Sequence, residues 1–148
     1  MNSDGEITGA NWQGDEDNEI LFGTMWDDLL QGGGNQDILY GYEGDDTIEG
    51  GYGKDRLFGD KGNDVIWTGT AGTVGDVSIN NPTGTRSFAD NPNNNTLGVD
   101  DFASGGSGND RLIGSVQREV LFGGPGHDII EGGRGDDKLY GGDGDDFI

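Results

Sequence analysis

The sequence predicts an all-β fold in which the chain winds into stacked parallel coils, that is, a β-solenoid. Three observations predict it. Most of the chain divides into units of nine residues that each begin with glycine, the eighth residue of every unit is Leu or Ile, and further glycines cluster in the first six residues. Self-similarity at such a short fixed period is typical of solenoids.

Eleven units keep one phase, six of them through residues 14–67 and five through residues 105–148. Position 6 is always acidic: Glu19, Asp28, Asp37, Asp46, Asp55, Asp64, Asp110, Glu119, Asp128, Asp137 and Asp146. Position 8 is always aliphatic: Leu21, Leu30, Leu39, Ile48, Leu57, Ile66, Leu112, Leu121, Ile130, Leu139 and Ile148.

The glycines permit a tight turn over positions 1–6, and positions 7–9 then form a short strand. Side chains alternate across a strand, so position 8 faces inward while positions 7 and 9 face outward. Two units make one coil of about 18 residues, and stacked coils form two parallel sheets. One buried aliphatic side chain per unit is a thin core, so something must also bind the turns, which are lined with carboxylates.

Composition excludes several classes of protein. The 148 residues include 29 acids, 8 Lys and Arg, 32 glycines and no cysteine, for a formal charge of −21. Such a chain lacks the cationic surface that nucleic acids or anionic membranes require. It also has no disulfides, no apolar run long enough for a membrane span and no N-terminal signal peptide. Composition alone would suggest disorder, but the periodicity contradicts that interpretation.

The units match G-G-x-G-x-D-x-U-x, where U is aliphatic, and on these residues the chain resembles the RTX, or hemolysin-type calcium-binding, family. The resemblance covers 98 of the 148 residues. It implies a parallel β-roll, a right-handed β-solenoid of nonapeptide repeats, with calcium between turns on the same edge. It also implies a secreted bacterial protein, extracellular or at the cell surface, exported unfolded by type I secretion and folding in external calcium.

Calcium prefers six to eight oxygen ligands, which carboxylates and glycine-rich turns can supply. We therefore expect metal ligands from the position 6 acids and from turn glycines: Gly32, Gly34, Gly41, Gly44, Gly50, Gly53, Gly59, Gly62, Gly105, Gly108, Gly123, Gly126, Gly132 and Gly135. Same-edge neighbours within the two blocks give about seven sites, which would reduce the formal charge to about −7. Sites that use the turns of units 14–22, 23–31, 32–40 and 114–122 are expected to be weaker or empty, because position 4 is not glycine there and Glu replaces Asp in two of them. The expectation is strongest for the pairs 14–22 with 32–40 and 114–122 with 132–140.

Residues 68–104 interrupt the repeat and are rich in Gly, Asn, Thr and Ser, which predicts a loop. Its tail, 95–103, resembles a degraded unit. We assign Gly98, Asp100 and Phe102 to positions 4, 6 and 8 of that unit, which makes Ser104 a one-residue insertion.

Position 9 alternates between aromatic and other residues in successive units, which assigns Phe22, Tyr40 and Phe58 to one sheet. If 95–103 adds a strand to that sheet, Phe122 and Tyr140 rejoin the aromatic side. This favours one continuous roll, with residues 68–94 as a decoration, over two separate rolls. The aromatic stripe is interpreted as a cross-strand packing ladder, with docking of a partner as the alternative.

No catalytic or cofactor-binding constellation is predicted, so we expect no enzymatic activity. The single histidine, His127, occupies position 5 of a turn and is assigned no role. The predicted function is a calcium-binding module that folds after export, either appended to a secreted enzyme, toxin or adhesin, or serving as a structural unit of a calcium-dependent matrix, surface layer or filament. A small enzyme or sugar-binding module that uses the 68–104 loop is a further alternative. Residues 1–13, with Trp12, are expected to cap one end, and other domains or copies could contact the roll ends.

Overall fold

The computed structural model describes residues 9–69, 100–115 and 117–148. In this part of the chain every regular element is a strand. The strands are β1 (Asn11–Gln13), β2 (Ile20–Phe22), β3 (Leu29–Gly34), β4 (Ile38–Glu43), β5 (Thr47–Tyr52), β6 (Arg56–Lys61), β7 (Val65–Trp67), β8 (Asp100–Ser107), β9 (Arg111–Ile113), β10 (Arg118–Pro125), β11 (Ile129–Glu131) and β12 (Lys138–Asp143).

The strands form two six-stranded parallel sheets. One has the order β1-β3-β5-β7-β9-β11 and the other the order β12-β10-β8-β6-β4-β2, so successive strands alternate between the sheets. The chain is thus a β-solenoid of about six turns, and the predicted all-β parallel roll is confirmed. Within the described ranges, no helix is long and apolar enough to cross a membrane.

The core is the row of position 8 side chains, as predicted, except for Ile148, which is 60% exposed. Nine residues form one buried cluster, with Leu21 and Leu139 packed against it: Leu30, Leu39, Ile48, Leu57, Ile66, Ala103, Leu112, Leu121 and Ile130. The longer strands differ from the prediction, because they continue from positions 7–9 into the turn. In β3 the burial alternates through Leu30 and Gly32, so position 1 also faces the interior.

The roll is continuous across the interruption, but the predicted phase of its tail was wrong. In β8 the residue level with Leu57 and Leu121 is Ala103, which is fully buried. Asp101, rather than Asp100, takes position 6, and Ser104 takes position 9 level with Phe58 and Phe122. There is no inserted residue, because Asp101 lies nine residues before Asp110 and therefore keeps the spacing of the acids.

The predicted aromatic ladder is present on the outer face of the second sheet. The centroids of Tyr40 and Phe58 lie 4.9 Å apart, those of Phe122 and Tyr140 lie 4.5 Å apart, and both pairs are stacked within 8° of parallel. Phe102 bridges Phe58 and Phe122 from position 7, and its ring is tilted by about 45° against Phe58. Each of these rings packs against a neighbouring ring, which supports the interpretation of the stripe as a cross-strand packing ladder.

Two of the predicted segments, the N-terminal cap and the interruption of the repeat, lie partly outside the described residues. Residues 1–8 of the predicted cap and 70–99 of the interruption fall there. Of the remainder, β1 continues the repeat, since Trp12 is level with Leu30 at the end of the core row, although it is half exposed. Thr68 is buried and its N–H donates to the carbonyl of Ile113, so the roll extends past Trp67.

Candidate metal centre

The position 6 carboxylates form two columns, one along each edge where the sheets are joined by turns. Eight of the eleven predicted acids are almost completely buried: Asp28, Asp37, Asp46, Asp55, Asp64, Asp110, Glu119 and Asp128. Glu19, Asp137 and Asp146 are half-buried. Asp101 adds a further buried acid to the series.

Oδ1 of each aspartate in the columns accepts a backbone hydrogen bond from the preceding coil. The N–H of Asp28 donates to Asp46 Oδ1 at 2.8 Å, and the N–H of Asp46 donates to Asp64 Oδ1 at 2.8 Å. The column crosses the interruption unchanged, because the N–H of Asp64 donates to Asp110 Oδ1 at 2.8 Å. On the other edge the N–H of Asp55 donates to Asp101 Oδ1 at 2.9 Å.

The other carboxylate oxygen has no hydrogen-bond donor in most of these turns. It is buried and unpartnered in eight residues: Glu19, Asp37, Asp46, Asp55, Asp64, Asp110, Glu119 and Asp128. A buried charged oxygen without a partner is costly, so a column of them requires protons or cations.

The unpartnered oxygens face backbone carbonyls of the following coil. A Cβ built on Gly50 would lie 2.6 Å from Asp55 Oδ2 and 2.6 Å from the carbonyl oxygen of Thr68. The same arrangement recurs at Gly41, between Asp46 Oδ2 and the Gly59 carbonyl. Position 1 must therefore be glycine, since a β-carbon would fill the space between a donor-free carboxylate oxygen and a backbone carbonyl oxygen.

The electrostatics agree with this geometry. Burial raises the pKa of Asp46 and Asp110 to about 6 and that of Asp64 to about 7, and neighbouring carboxylates add to the effect. Burial likewise raises the pKa of Asp55 to about 7 and that of Asp101 to about 8. Ionised carboxylates are thus disfavoured in the folded chain unless a cation compensates them.

These residues fit calcium. The columns offer carboxylate and carbonyl oxygens only, which is the donor set of a hard cation. Among the described residues no three His, Cys, Asp or Glu side chains converge on one point, so most ligands would have to be backbone carbonyls. Calcium would supply positive charge between consecutive turns, and the position 6 acids with the turn carbonyls would hold it.

The predicted glycines divide into two groups. At position 1, Gly32, Gly41, Gly50, Gly59, Gly105 and Gly123 are buried, and Gly132 is half-buried. At position 4, Gly44, Gly53, Gly62, Gly108, Gly126 and Gly135 have positive φ. Gly34 departs from the prediction: it lies at position 3, and position 4 of its turn is Asn35, with φ of 71°.

Two turns hold a non-glycine residue with positive φ at position 2, and one of them provides a stability test. Asp60 has φ of 76°, whereas Gly106, its partner on the next coil, has 108°. A left-handed backbone conformation costs a non-glycine residue about 1–2 kcal/mol. This cost exceeds the roughly 0.5–1 kcal/mol by which the greater entropy of glycine in the unfolded chain destabilises the folded state. We expect Asp60→Gly to stabilise the folded chain by about 0.5–1 kcal/mol in urea unfolding with calcium present.

Asp60→Asn is the matched control, because it removes the same charge but keeps the β-carbon. Its stability should stay near that of the wild type. Equal stabilisation by both variants would contradict the strain explanation and point to charge alone.

Asp101 was not predicted as a ligand, because the degraded unit was aligned with Asp100 at position 6 and Asp101 at position 7. The available signal was the count of nine residues back from Asp110. Because the columns continue through Asp101, same-edge gaps exist between the two blocks as well as within them, and the expected count of about seven sites left these gaps out.

Position 5 carries a second ladder that the sequence did not predict. Asp27, Asp45 and Asp145 are exposed, and the N–H of Asp45 donates to Asp27 Oδ1 at 2.9 Å. His127 belongs to the same column, since its Nδ1 accepts the N–H of Asp145 at 2.9 Å. These bonds run from the later coil to the earlier one, opposite to the position 6 bonds.

Together these features define a parallel β-roll whose turns are lined by calcium-type ligands. A model of the RTX calcium-binding nonapeptide repeat matches four copies, over residues 13–48, 40–70, 98–129 and 113–148. The matches cover well over half of the chain, which therefore belongs to this family, and it is a β-roll module of calcium-binding repeats. No curated protein matches the chain.

Proposed function

We propose that this chain is a calcium-dependent folding module of a secreted bacterial protein, unfolded at low calcium during export and folded outside the cell. The observation that carries the proposal is the column of buried, donor-free carboxylate oxygens between the coils. In water these carboxylates are solvated, so the unfolded chain tolerates a charge of −21 better than the metal-free roll does. Calcium reverses the balance, because it binds the folded turns and its binding free energy becomes folding free energy.

Two sets of oxygen atoms would hold the calcium ions. The position 6 acids with a donor-free oxygen provide the carboxylates, and the position 1 carbonyls of the next coil provide backbone oxygens. We assign the module no chemistry of its own. Secretion and type I export are supported by the family, whose repeats are typical of secreted proteins.

A calcium titration of the full chain, followed by circular dichroism, tests this proposal. We expect little β-structure in calcium-free buffer at pH 7.5 and a cooperative gain of β signal as calcium is added. Magnesium at the same concentration should be much less effective, since it demands a near-ideal octahedral site and dehydrates reluctantly. A chain that is equally folded with and without calcium would rule the proposal out.

A further inference from the structure

Three turns of the roll differ from the others in sequence, because position 2 carries a polar side chain and position 4 is not glycine. They are residues 14–19, 23–28 and 114–119. In all three the position 2 side chain accepts the backbone N–H of position 4. The N–H of Trp26 donates to Thr24 Oγ1 at 3.1 Å, and that of Gln117 donates to Ser115 Oγ at 3.2 Å. The N–H of Asp17 donates to Asp15 Oδ1 at 2.9 Å.

In two of these turns the hydroxyl then donates to the position 6 carboxylate. Thr24 Oγ1 donates to Asp28 Oδ1 at 3.0 Å, and the Thr24 N–H donates to Asp28 Oδ2. Ser115 bonds Glu119 Oε1 through both its hydroxyl and its N–H. In turn 14–19 the position 2 residue is Asp15, which adds a second acid beside Glu19 and helps to raise the pKa of Glu19, an effect due mainly to burial.

Asp28 therefore differs from the seven other predicted acids that are almost completely buried, each of which has one donor-free oxygen. Both of its oxygens have donors, since the N–H of Ala10 also donates to Oδ1. Asp46, on the next coil of the same edge, keeps a donor-free Oδ2. The hydrogen bonds to Asp28 come from its own turn and from the preceding coil, so neither of its carboxylate oxygens needs a cation as a partner.

We propose that the turn 23–28 is closed by the Thr24 hydroxyl in place of a calcium ion, so that the gap between Asp28 and Gly41 takes no metal. This inference rests on calcium binding by the rest of the roll. It removes Asp28 from the carboxylate ligands of calcium, and the turn 114–119 is a weaker case, because Glu119 Oε2 stays donor-free.

The test is the calcium stoichiometry of the full chain, measured by equilibrium dialysis and isothermal titration calorimetry at saturating calcium. The double variant Thr24→Gly/Trp26→Gly restores glycine at positions 2 and 4 and leaves Asp28 unchanged. We expect it to bind about one calcium ion per chain more than the wild type. Thr24→Ser keeps the hydroxyl and should bind the same number as the wild type.

An unchanged stoichiometry in the double variant would overturn the inference, as would a gain in Thr24→Ser. Failure of the double variant to fold at saturating calcium would overturn it too, because glycine turns of this pattern fold elsewhere on the same edge. Failure of the proposed function would be recognised separately, because the wild type would then bind no calcium at all.

Discussion

Asp64→Asn is expected to have opposite effects on the folded chain with and without calcium. Asp64 lies in the middle of its column and is almost completely buried. Its Oδ1 accepts the N–H of Asp46, while its Oδ2 has no donor and faces the carbonyl of Gly105. Asparagine preserves the first contact, and its amide can donate to the carbonyl where calcium would otherwise bind.

With calcium present, the variant loses a charged ligand between two coils. We expect the calcium concentration at the folding midpoint to rise about tenfold, which corresponds to about 1.4 kcal/mol. In calcium-free buffer at pH 7.5 the variant should instead show more β signal than the wild type, because it removes a buried carboxylate whose pKa is raised to about 7. Circular dichroism with a calcium titration measures both effects.

Asp45→Asn is the matched control, since it makes the same chemical change on the same edge. Asp45 is exposed, and its Oδ1 accepts the N–H of Asn63 at 2.8 Å, a bond that asparagine can also accept. We expect a change below about 0.5 kcal/mol in both conditions. If the two variants behaved alike, the column of position 6 acids would have no special role.

The second large effect concerns pH. In the metal-free roll six buried acids have pKa values of about 6 to 8, against ordinary values of about 4: Asp46, Asp55, Asp64, Asp101, Asp110 and Glu119. Between about pH 4 and about pH 8 the folded chain therefore binds more protons than the unfolded chain, and its stability falls as the pH rises. The contribution is fully present below about pH 4 and is lost progressively as pH rises through 6 to 8.

We expect calcium-free protein to have more β-structure at pH 5 than at pH 8. At sub-saturating calcium the dependence should reverse, because calcium competes with the same protons and its affinity rises with pH. Circular dichroism at both pH values, with and without calcium, gives the comparison. Calorimetry in two buffers of different ionisation enthalpy should detect proton release on loading. More β-structure at pH 8 than at pH 5 in calcium-free buffer would refute this account.

The nine-residue period was enough to predict the two parallel sheets, the inward aliphatic row and most of the acids in the columns. Each of these follows from local repetition, because every unit places the same atoms at the same height. The aromatic side of the roll was also predictable, since position 9 alternates between the sheets. These predictions needed no information about contacts between distant residues.

The errors arose in single turns that depart from the general repeat. Phe102 was assigned to the interior because Asp100 was aligned at position 6, but Asp101 takes that position, which places Ala103 in the interior and Phe102 in the aromatic ladder. The role of Thr24 was also not predictable, because its partner Asp28 becomes a neighbour only when the turn closes.

The interruption has a consequence for how such a chain can change. The pairs Asp55–Asp101 and Asp64–Asp110 are separated by 46 residues in sequence, where other pairs in the columns are separated by 18, yet their hydrogen bonds have the same length within about 0.1 Å. The position of the next coil therefore does not depend on the number of residues in the segment that interrupts the repeat. Segments of other lengths and chemistries could therefore replace the one between Thr68 and Asp100, and the roll would serve as the scaffold that carries them.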